Sequence, residues 1–175
     1  VMGTVSLFKS DVQTTVSNSV LSSILHEHRE GTLYYDDSYQ REYCWTSADQ
    51  QALMHSIFNE LPLDSISVVL NPQSEDKYFE IIDGRQRTTT IIKYTENEFP
   101  YIDEDGNEVY FRDLSDTDRA SFRMVKLPVI ELSSKSGEPL KYEQKVAYFY
   151  RKNFAGQPQS AEHKSHIEKI LGIAA

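Results

Sequence analysis

Two short polar segments of this sequence carry arginine and glutamine side chains at spacings that could bind an anion. The first is "YQR", Tyr39 to Arg41, and the second is "DGRQR", Asp83 to Arg87. The second segment follows the β-rich run "YFEII" and precedes a helix-forming stretch, so Gly84 would allow a tight turn from strand into helix. The first amides of a helix lack intrahelical partners and carry the positive end of its dipole. Such a junction can therefore bind phosphate.

Each side chain of the second segment has a chemical use at such a junction. Arg85 and Arg87 offer forked donors suited to phosphate oxygens. Gln86 could read a base or orient a water, and Asp83 could hold Mg²⁺ or brace an arginine. A structural alternative stays open, because Asp-Gly is a common turn and both arginines could pair with nearby carboxylates such as Glu80.

Length and composition limit the classes of protein to which this chain can belong. With 175 residues and 39% apolar content, the sequence predicts one domain over residues 1–175 with a substantial core. A single cysteine, Cys44, excludes an internal disulfide framework and a cysteine-rich zinc site. There is no run of about 18 apolar residues and no basic-then-apolar pattern at the start. We therefore expect no membrane contact and a cytoplasmic setting.

The net charge of −9 argues against broad, non-specific binding to duplex DNA, which needs a basic face. Much of the acidic excess lies between Tyr94 and Phe111, which hold six acidic residues and no lysine or arginine. We interpret that stretch as a solvated hairpin tip. A local cationic pocket elsewhere remains compatible with the overall charge.

Hydrophobic periodicity and turn signals predict the elements around the two polar segments. Val16, Val20 and Ile24 predict a helix over 15–27, capped by Ser17 or Asn18. Further helices are expected over 46–61, 86–95, 115–123, 141–154 and 160–173. A hairpin is expected from strands 65–70 and 77–83, a second one over 101–111, and a strand over 126–132. Helices and short strands in separate runs are typical of an α+β fold.

The order of these motifs resembles the N-terminal domain of GmrSD-type modification-dependent restriction systems, within the ParB and sulfiredoxin-like fold group. The resemblance covers about residues 35–171 and rests on "YQR", the later tryptophan, an "LPL" segment, a strand and a "DGQQR" motif that opens a helix. The matching residues are Tyr39, Gln40, Arg41, Trp45, Leu61, Pro62, Leu63, Asp83, Gly84, Gln86 and Arg87, followed by Phe149, Asn153 and Gly156. It implies a small mixed or antiparallel sheet with several helices packed around it.

The resemblance also implies an activity, namely binding of a nucleoside triphosphate (NTP) and its Mg²⁺-dependent hydrolysis. Asp83, Gln86 and Arg87 would be catalytic, with Asp83 as the metal ligand. The nucleotide would contact Tyr39, Gln40, Arg41, Gly84, Arg85, Thr88 and Asn153. One departure concerns Arg85, which stands where the family has glutamine. A permanent cation there would strengthen phosphate binding, or would weaken hydrolysis by replacing a group that positions water.

The resemblance further implies a partner nuclease, with DNA as a second candidate partner, and a homo-oligomer is compatible with the sequence. Two other functions remain open. One is a non-catalytic module that binds nucleic acid or protein through the same cationic pocket, and the other is a ParB-like nuclease.

Two further groups of residues have both a structural and a functional interpretation. Trp45 is typical of a core anchor, with base stacking as the alternative. His163 and His166 have the i, i+3 spacing of a helical metal pair. Because no third ligand accompanies them, we favour surface histidines.

Overall fold

A computed structural model describes residues 3–154 and 160–172, and it places helices and strands in separate runs along the chain. The strands are β1 (Val12–Val20), β2 (Leu33–Tyr34), β3 (Ile66–Leu70), β4 (Phe79–Asp83), β5 (Tyr101–Ile102), β6 (Glu108–Val109) and β7 (Lys126–Ser134). The helices are α1 (Leu21–Glu30), α2 (Ser47–Phe58), α3 (Arg85–Thr95), α4 (Asp116–Arg123), α5 (Tyr142–Phe154) and α6 (Ala161–Leu171), with a 3-10 turn at Phe111–Asp113. The predicted α+β class is confirmed.

A mixed five-stranded sheet in the order β1-β7-β3-β4-β2 organises the fold. The β3–β4 and β1–β7 pairs are antiparallel, whereas β3–β7 and β2–β4 are parallel. The two predicted hairpins are present, the second as the separate β5–β6 pair. Strand β4 lies inside the sheet, where β2 pairs with its first residues, Phe79 and Glu80, and β3 pairs along it as far as Asp83, the residue before the turn into α3.

Helices cover both faces of the sheet, so the central strands are apolar on both sides. Ile66, Val68 and Ile81 face a core built with α1, α2, α3 and α4. Val69 and Ile82 face a second core built with α5 and α6. The sheet therefore holds α3 on one side and α5 on the other.

The predicted helix over 15–27 is wrong in its first half. Residues 12–20 form the edge strand β1, and α1 begins only at Leu21, after the N-cap residue Val20 rather than Ser17 or Asn18. Val16, which suggested an inward helical face, is 69% exposed. The β-branched and short polar residues of this stretch favour a strand, and pairing with β7 decides the matter.

The second helix begins where it was predicted but ends earlier. Thr46 caps α2 and forms a capping box with Asp49. The helix ends at Phe58, and Glu60 takes a positive φ of 53° before Pro62.

Among the described residues, no helix combines the length and apolar character needed to cross a membrane.

Candidate functional site

The junction between β4 and α3 has the geometry that the "DGRQR" segment predicts. Gly84 lies between the strand and the helix with φ at +110°, a conformation that residues with a side chain rarely adopt. Helices α2, α4 and α6 are capped at their N-termini by the side chains of Thr46, Ser115 and Ser160. Within the described residues α3 has no side-chain cap and no acidic residue in its first turn. Its positive dipole end is therefore not neutralised by its own helix.

A cavity of about 200 Å³ lies beside this junction. It brings together the segment after Tyr39, the end of β4, the first turn of α3 and the last turns of α5. Eight of the ten residues predicted for the site line it, so Arg41 and Arg87 share one cavity. The lining residues are Gln40, Arg41, Trp45, Asp83, Gly84, Arg85, Gln86, Arg87, Phe149 and Asn153.

Arg87 and Asp83 form an ion pair inside the cavity. Arg87 Nη2 lies 3.5 Å from Asp83 Oδ2, and the two side chains are 18% and 12% exposed. Arg87 Nη1 also donates to the backbone oxygen of Asp64 at 2.5 Å. The Asn153 side chain hydrogen-bonds the Asp83 carboxylate from α5. Both charged groups are therefore held in place before any ligand enters.

Burial raises the pKa of the Asp83 carboxyl above its ordinary value, and the nearby charge of Asp64 acts in the same direction. The positive charges of Arg87 and Lys152 and the hydrogen bond from Asn153 act in the opposite direction but are outweighed. The ionised carboxylate is thus an unfavourable group in this cavity. A cation or a proton near it would relieve that cost.

We expect Asp83→Asn to raise the free energy of unfolding at pH 7.5. The folded protein holds the Asp83 proton more tightly than the unfolded chain, so ionisation costs stability above the folded pKa and costs nothing below the unfolded value. The advantage of the variant should therefore shrink as the pH falls toward 4. Urea unfolding of the wild type and the variant between pH 7.5 and pH 4 measures this difference in the free energy of unfolding. A variant that is less stable than the wild type at pH 7.5 would contradict the argument.

The three arginines of the site differ in their partners. Arg85 Nη1 lies 2.6 Å from Asp37 Oδ1, and its guanidinium stacks over the Tyr35 ring at 5.1 Å. Arg87 is paired within the cavity, as described above. Arg41 forms no hydrogen bond or ion pair with any residue in the ranges 3–154 and 160–172. Its charge is therefore available to a ligand in the cavity.

The Glu80 carboxylate is not the partner of either α3 arginine. It is buried, with 2% of the residue exposed, and it pairs with Lys145 Nζ at 2.9 Å. The alternative that Arg85 and Arg87 pair with nearby carboxylates is therefore met by other residues. Arg85 pairs with Asp37, and Arg87 pairs with Asp83.

The two glutamines of the predicted site hold backbone in place. Gln86 accepts from the Cys44 amide at 2.9 Å and donates to the Glu42 carbonyl at 3.0 Å, so both ends of its amide are engaged. Gln40 donates to the Ile81 carbonyl at 2.8 Å. Together they hold residues 40–44 against β4 and α3, which is how two distant segments come to share one cavity.

Tyr39 and Thr88, both predicted to contact the nucleotide, lie outside the cavity lining. Tyr39 is 1% exposed and packs edge-on against Phe149 at 5.2 Å. The Thr88 hydroxyl donates to the Gly84 carbonyl at 2.8 Å and lies 2.6 Å from the Tyr35 hydroxyl. In this structure both residues support the walls of the site.

The two histidines of α6 anchor the backbone of the "YQR" segment. His163 Nε2 lies 2.9 Å from the Tyr39 carbonyl, and His166 Nε2 lies 3.0 Å from the Ser38 carbonyl. A carbonyl only accepts, so each of these nitrogens carries the proton. Burial lowers the pKa of His163, and the charges of Arg41 and His166 act in the same direction, whereas the hydrogen bond to the Tyr39 carbonyl opposes the shift without cancelling it.

We expect the wild type to lose stability as the pH falls from 7.5 through 6.5 to below the lowered pKa of His163. Over that window the unfolded chain binds a proton that the folded protein resists, so the loss grows and then levels off. His163→Gln keeps a donor for the Tyr39 carbonyl without titrating, and its stability should fall less over the same window. Thermal unfolding against pH measures both, with His26→Gln as the exposed-histidine control. Equal pH profiles for the wild type and His163→Gln would refute the assignment.

Sequence reasoning missed part of the site. Trp45 lines the cavity while also packing against the core, so the interpretation as an anchor was incomplete. Phe149 was noted only as a motif position, and it forms part of the wall. Lys152 was not considered, yet its charge acts on Asp83. The only feature of the sequence that pointed to Lys152 was its position next to Asn153 in a predicted helix.

No cluster of three or more histidine, cysteine, aspartate or glutamate side chains in metal-binding geometry occurs in the described part of the chain. Asp83 is a single carboxylate that is engaged by Arg87 and Asn153. Such a donor set fits Mg²⁺ only when phosphate oxygens supply further ligands. Gly156, assigned to the family's later motif, lies outside the described residues.

Solved structures that are similar to this chain at low identity include two ParB proteins. The C-terminally truncated chromosome-partitioning protein ParB from Caulobacter crescentus, complexed with CTP-gamma-S, is 13% identical, with a TM-score of 0.44 over 90% of this chain and 62% of that one. A Pnob8-like ParB-N domain is 9% identical, with a TM-score of 0.46 over 93% of this chain and 46% of that one. The chain thus spans less than two thirds of either length.

No match was found among curated proteins. The family model described as the N-terminal domain of the GmrSD restriction endonuclease matches residues 21–172, which is most of the chain. The resemblance drawn from "YQR" and "DGRQR" is thereby confirmed, and the chain belongs to the family of GmrSD restriction endonuclease N-terminal domains.

Proposed function

We propose that this chain is the NTP-binding domain of a restriction system and that it hydrolyses the bound nucleotide with Mg²⁺. The observation that carries the proposal is the guanidinium of Arg41, which lines the cavity with no protein partner in the described residues. It faces the same space as Arg87 and the uncapped start of α3. The charge of Arg41, unpaired in the described ranges, and the dipole of α3 both contribute positive potential to this cavity, and the paired Arg87 offers further N–H donors there, which favours an anionic ligand.

The size of the cavity indicates which part of the ligand it holds. Its volume of about 200 Å³ is below the roughly 300–1,000 Å³ of a pocket that encloses a drug-sized molecule. We therefore place the phosphates inside and the nucleoside toward the rim. Trp45 lines the cavity, is half-buried and would offer a ring for stacking of the base.

For hydrolysis, we assign roles to the residues by what they can still contact. Arg87 would stabilise the charge that grows on the phosphate in the transition state. Asp83 would orient the attacking water or hold Mg²⁺, which when bound would neutralise phosphate charge and favour the ionised carboxylate. Gln86 would act by fixing the segment at residues 42–44, since its amide is already engaged there.

The test is calorimetric titration of the 175-residue chain with ATP, GTP, CTP and UTP, with and without Mg²⁺, followed by phosphate-release assays. Affinity should fall from triphosphate to diphosphate to monophosphate, and inorganic tripolyphosphate should compete. Asp83→Ala should retain binding but lose phosphate release, whereas Arg87→Ala should lose both. If no nucleotide binds, the proposal is wrong. If the wild type binds without releasing phosphate, the hydrolysis part is wrong.

The alternative is a module that binds the phosphates of single-stranded nucleic acid without catalysis. An aromatic ring beside cations, as with Trp45 near Arg41, is also typical of such sites. Binding of an oligonucleotide would then weaken steeply with added salt and would not be displaced by mononucleotides. A nuclease would instead cut plasmid DNA in Mg²⁺ or Mn²⁺.

A further inference from the structure

Strand β1 is a long sheet edge that lacks the usual protection. It lies at one end of the sheet order, and its register with β7 runs unbroken from Val12 opposite Ser134 to Val20 opposite Lys126. Residues 13–18 are exposed on both faces of the sheet. The strand contains no charged residue and no proline. Natural edge strands are normally blocked by charges, proline, bulges or short length, and β1 has none of these.

Exposed apolar side chains gather at the centre and at both ends of this edge. Phe8 is 95% exposed in the segment before β1, and Val16 is exposed at the strand centre. Met124 lies at the opposite end, because the Leu21 amide donates to the carbonyl of Val125 just beyond β1. Of the eight large hydrophobic residues exposed in the described ranges, five lie in β1 or in the segments next to its two ends: Val5, Leu7, Phe8, Val16 and Met124.

We propose that β1 pairs antiparallel with β1 of a second copy of this chain, about a two-fold axis at Val16. A two-fold axis makes the contact self-complementary and requires antiparallel pairing of identical strands. Only an axis at the central residue overlaps all nine residues of Val12–Val20. The two sheets become one continuous sheet. The apolar segment at residues 5–8 of each copy extends toward Met124 of the other.

The sequence of β1 is self-complementary in this register. Val12 lies opposite Val20, Thr14 opposite Asn18, and Val16 opposite its own equivalent. Apolar residues thus meet apolar ones and polar residues meet polar ones, and such cross-strand pairs stabilise a sheet. Two chains of net charge −9 repel each other overall, and an uncharged strand is where they can approach with the least local repulsion. A basic partner would find no carboxylate on this strand.

The experiment measures the oligomeric state of the full chain by sedimentation equilibrium from micromolar to millimolar concentration. We expect a dimer. Val16→Lys and Val16→Glu each place like charges opposite each other across the axis, so each variant alone should dissociate at least tenfold more readily than the wild type. An equimolar mixture of the two variants should recover the dimer, because the opposite charges then meet. Leu61→Lys, which places a charge at an exposed leucine outside β1, should leave dimerisation unchanged.

Three outcomes would overturn the proposal. They are a wild-type monomer at every concentration, a dimer unaffected by Val16→Lys, and a mixture that stays monomeric although both variants keep the wild-type circular dichroism spectrum and melting temperature. The recovery in the mixture separates a strand–strand contact from a general loss of solubility or folding. No step of the test depends on nucleotide binding.

Discussion

Replacement of Arg41 by alanine should weaken triphosphate binding by about 10- to 100-fold. A hydrogen bond to a charged group is worth about 1.5–3 kcal/mol, and each 1.4 kcal/mol corresponds to a factor of ten. Arg41 has no ion pair or hydrogen bond within the described residues, so its removal breaks no internal contact of that kind. The free energy of unfolding should stay close to the wild-type value. Calorimetric titration and urea unfolding measure the two quantities.

The matched control is Arg29→Ala, which removes the same charge from the exposed end of α1. It separates loss of a specific contact from loss of general attraction between the protein and an anion. Arg87→Ala is less clean, because Arg87 also holds Asp83 and the Asp64 carbonyl. If Arg41→Ala binds the triphosphate as tightly as Arg29→Ala does, the ligand does not occupy this cavity.

Replacement of Gly84 by alanine should cost about 2–5 kcal/mol of folding stability and abolish binding. A Cβ at this position would lie 2.6 Å from Ile66 Cγ2, inside van der Waals contact with the sheet. Overpacking of this kind costs about 1–3 kcal/mol. The positive φ of Gly84 adds about 1–2 kcal/mol for a residue with a side chain. Relief requires the β4–α3 junction to move, and the amides at the start of α3 move with it. Urea unfolding and nucleotide titration measure both effects.

Gly106→Ala is the matched control for backbone strain. Gly106 has φ of +79° at the tip of the β5–β6 hairpin, and a Cβ there would meet no heavy atom within 4 Å. It should cost only about 1–2 kcal/mol and leave binding intact. The steric part is isolated by Ile66→Ala, which should destabilise the Gly84→Ala protein less than it destabilises the wild type. Equal costs for the two glycine variants would show that Ile66 does not crowd the turn.

The local chemistry of the "DGRQR" turn was readable from the sequence. A β-branched run, a glycine and a helix-forming stretch define a strand–turn–helix unit through contacts among neighbouring residues. The hairpins and most helix positions are predictable for the same reason. The helix over 15–27 failed because spacing alone cannot distinguish an inward face from an accidental one. Val16 belongs to an edge strand whose partner, β7, lies more than a hundred residues away.

The sequence by itself placed Arg41 and Arg87 in one candidate site, because residue type and order along the chain are enough to recognise the family. The tertiary structure alone decided what each cation does. Asp37 forms an ion pair with Arg85 and Asp83 forms one with Arg87, whereas Arg41 lines the cavity without an ion-pair partner among the described residues. The physical reason is that an ion pair depends on which carboxylate the fold brings within reach, and no local pattern of residues encodes that distance.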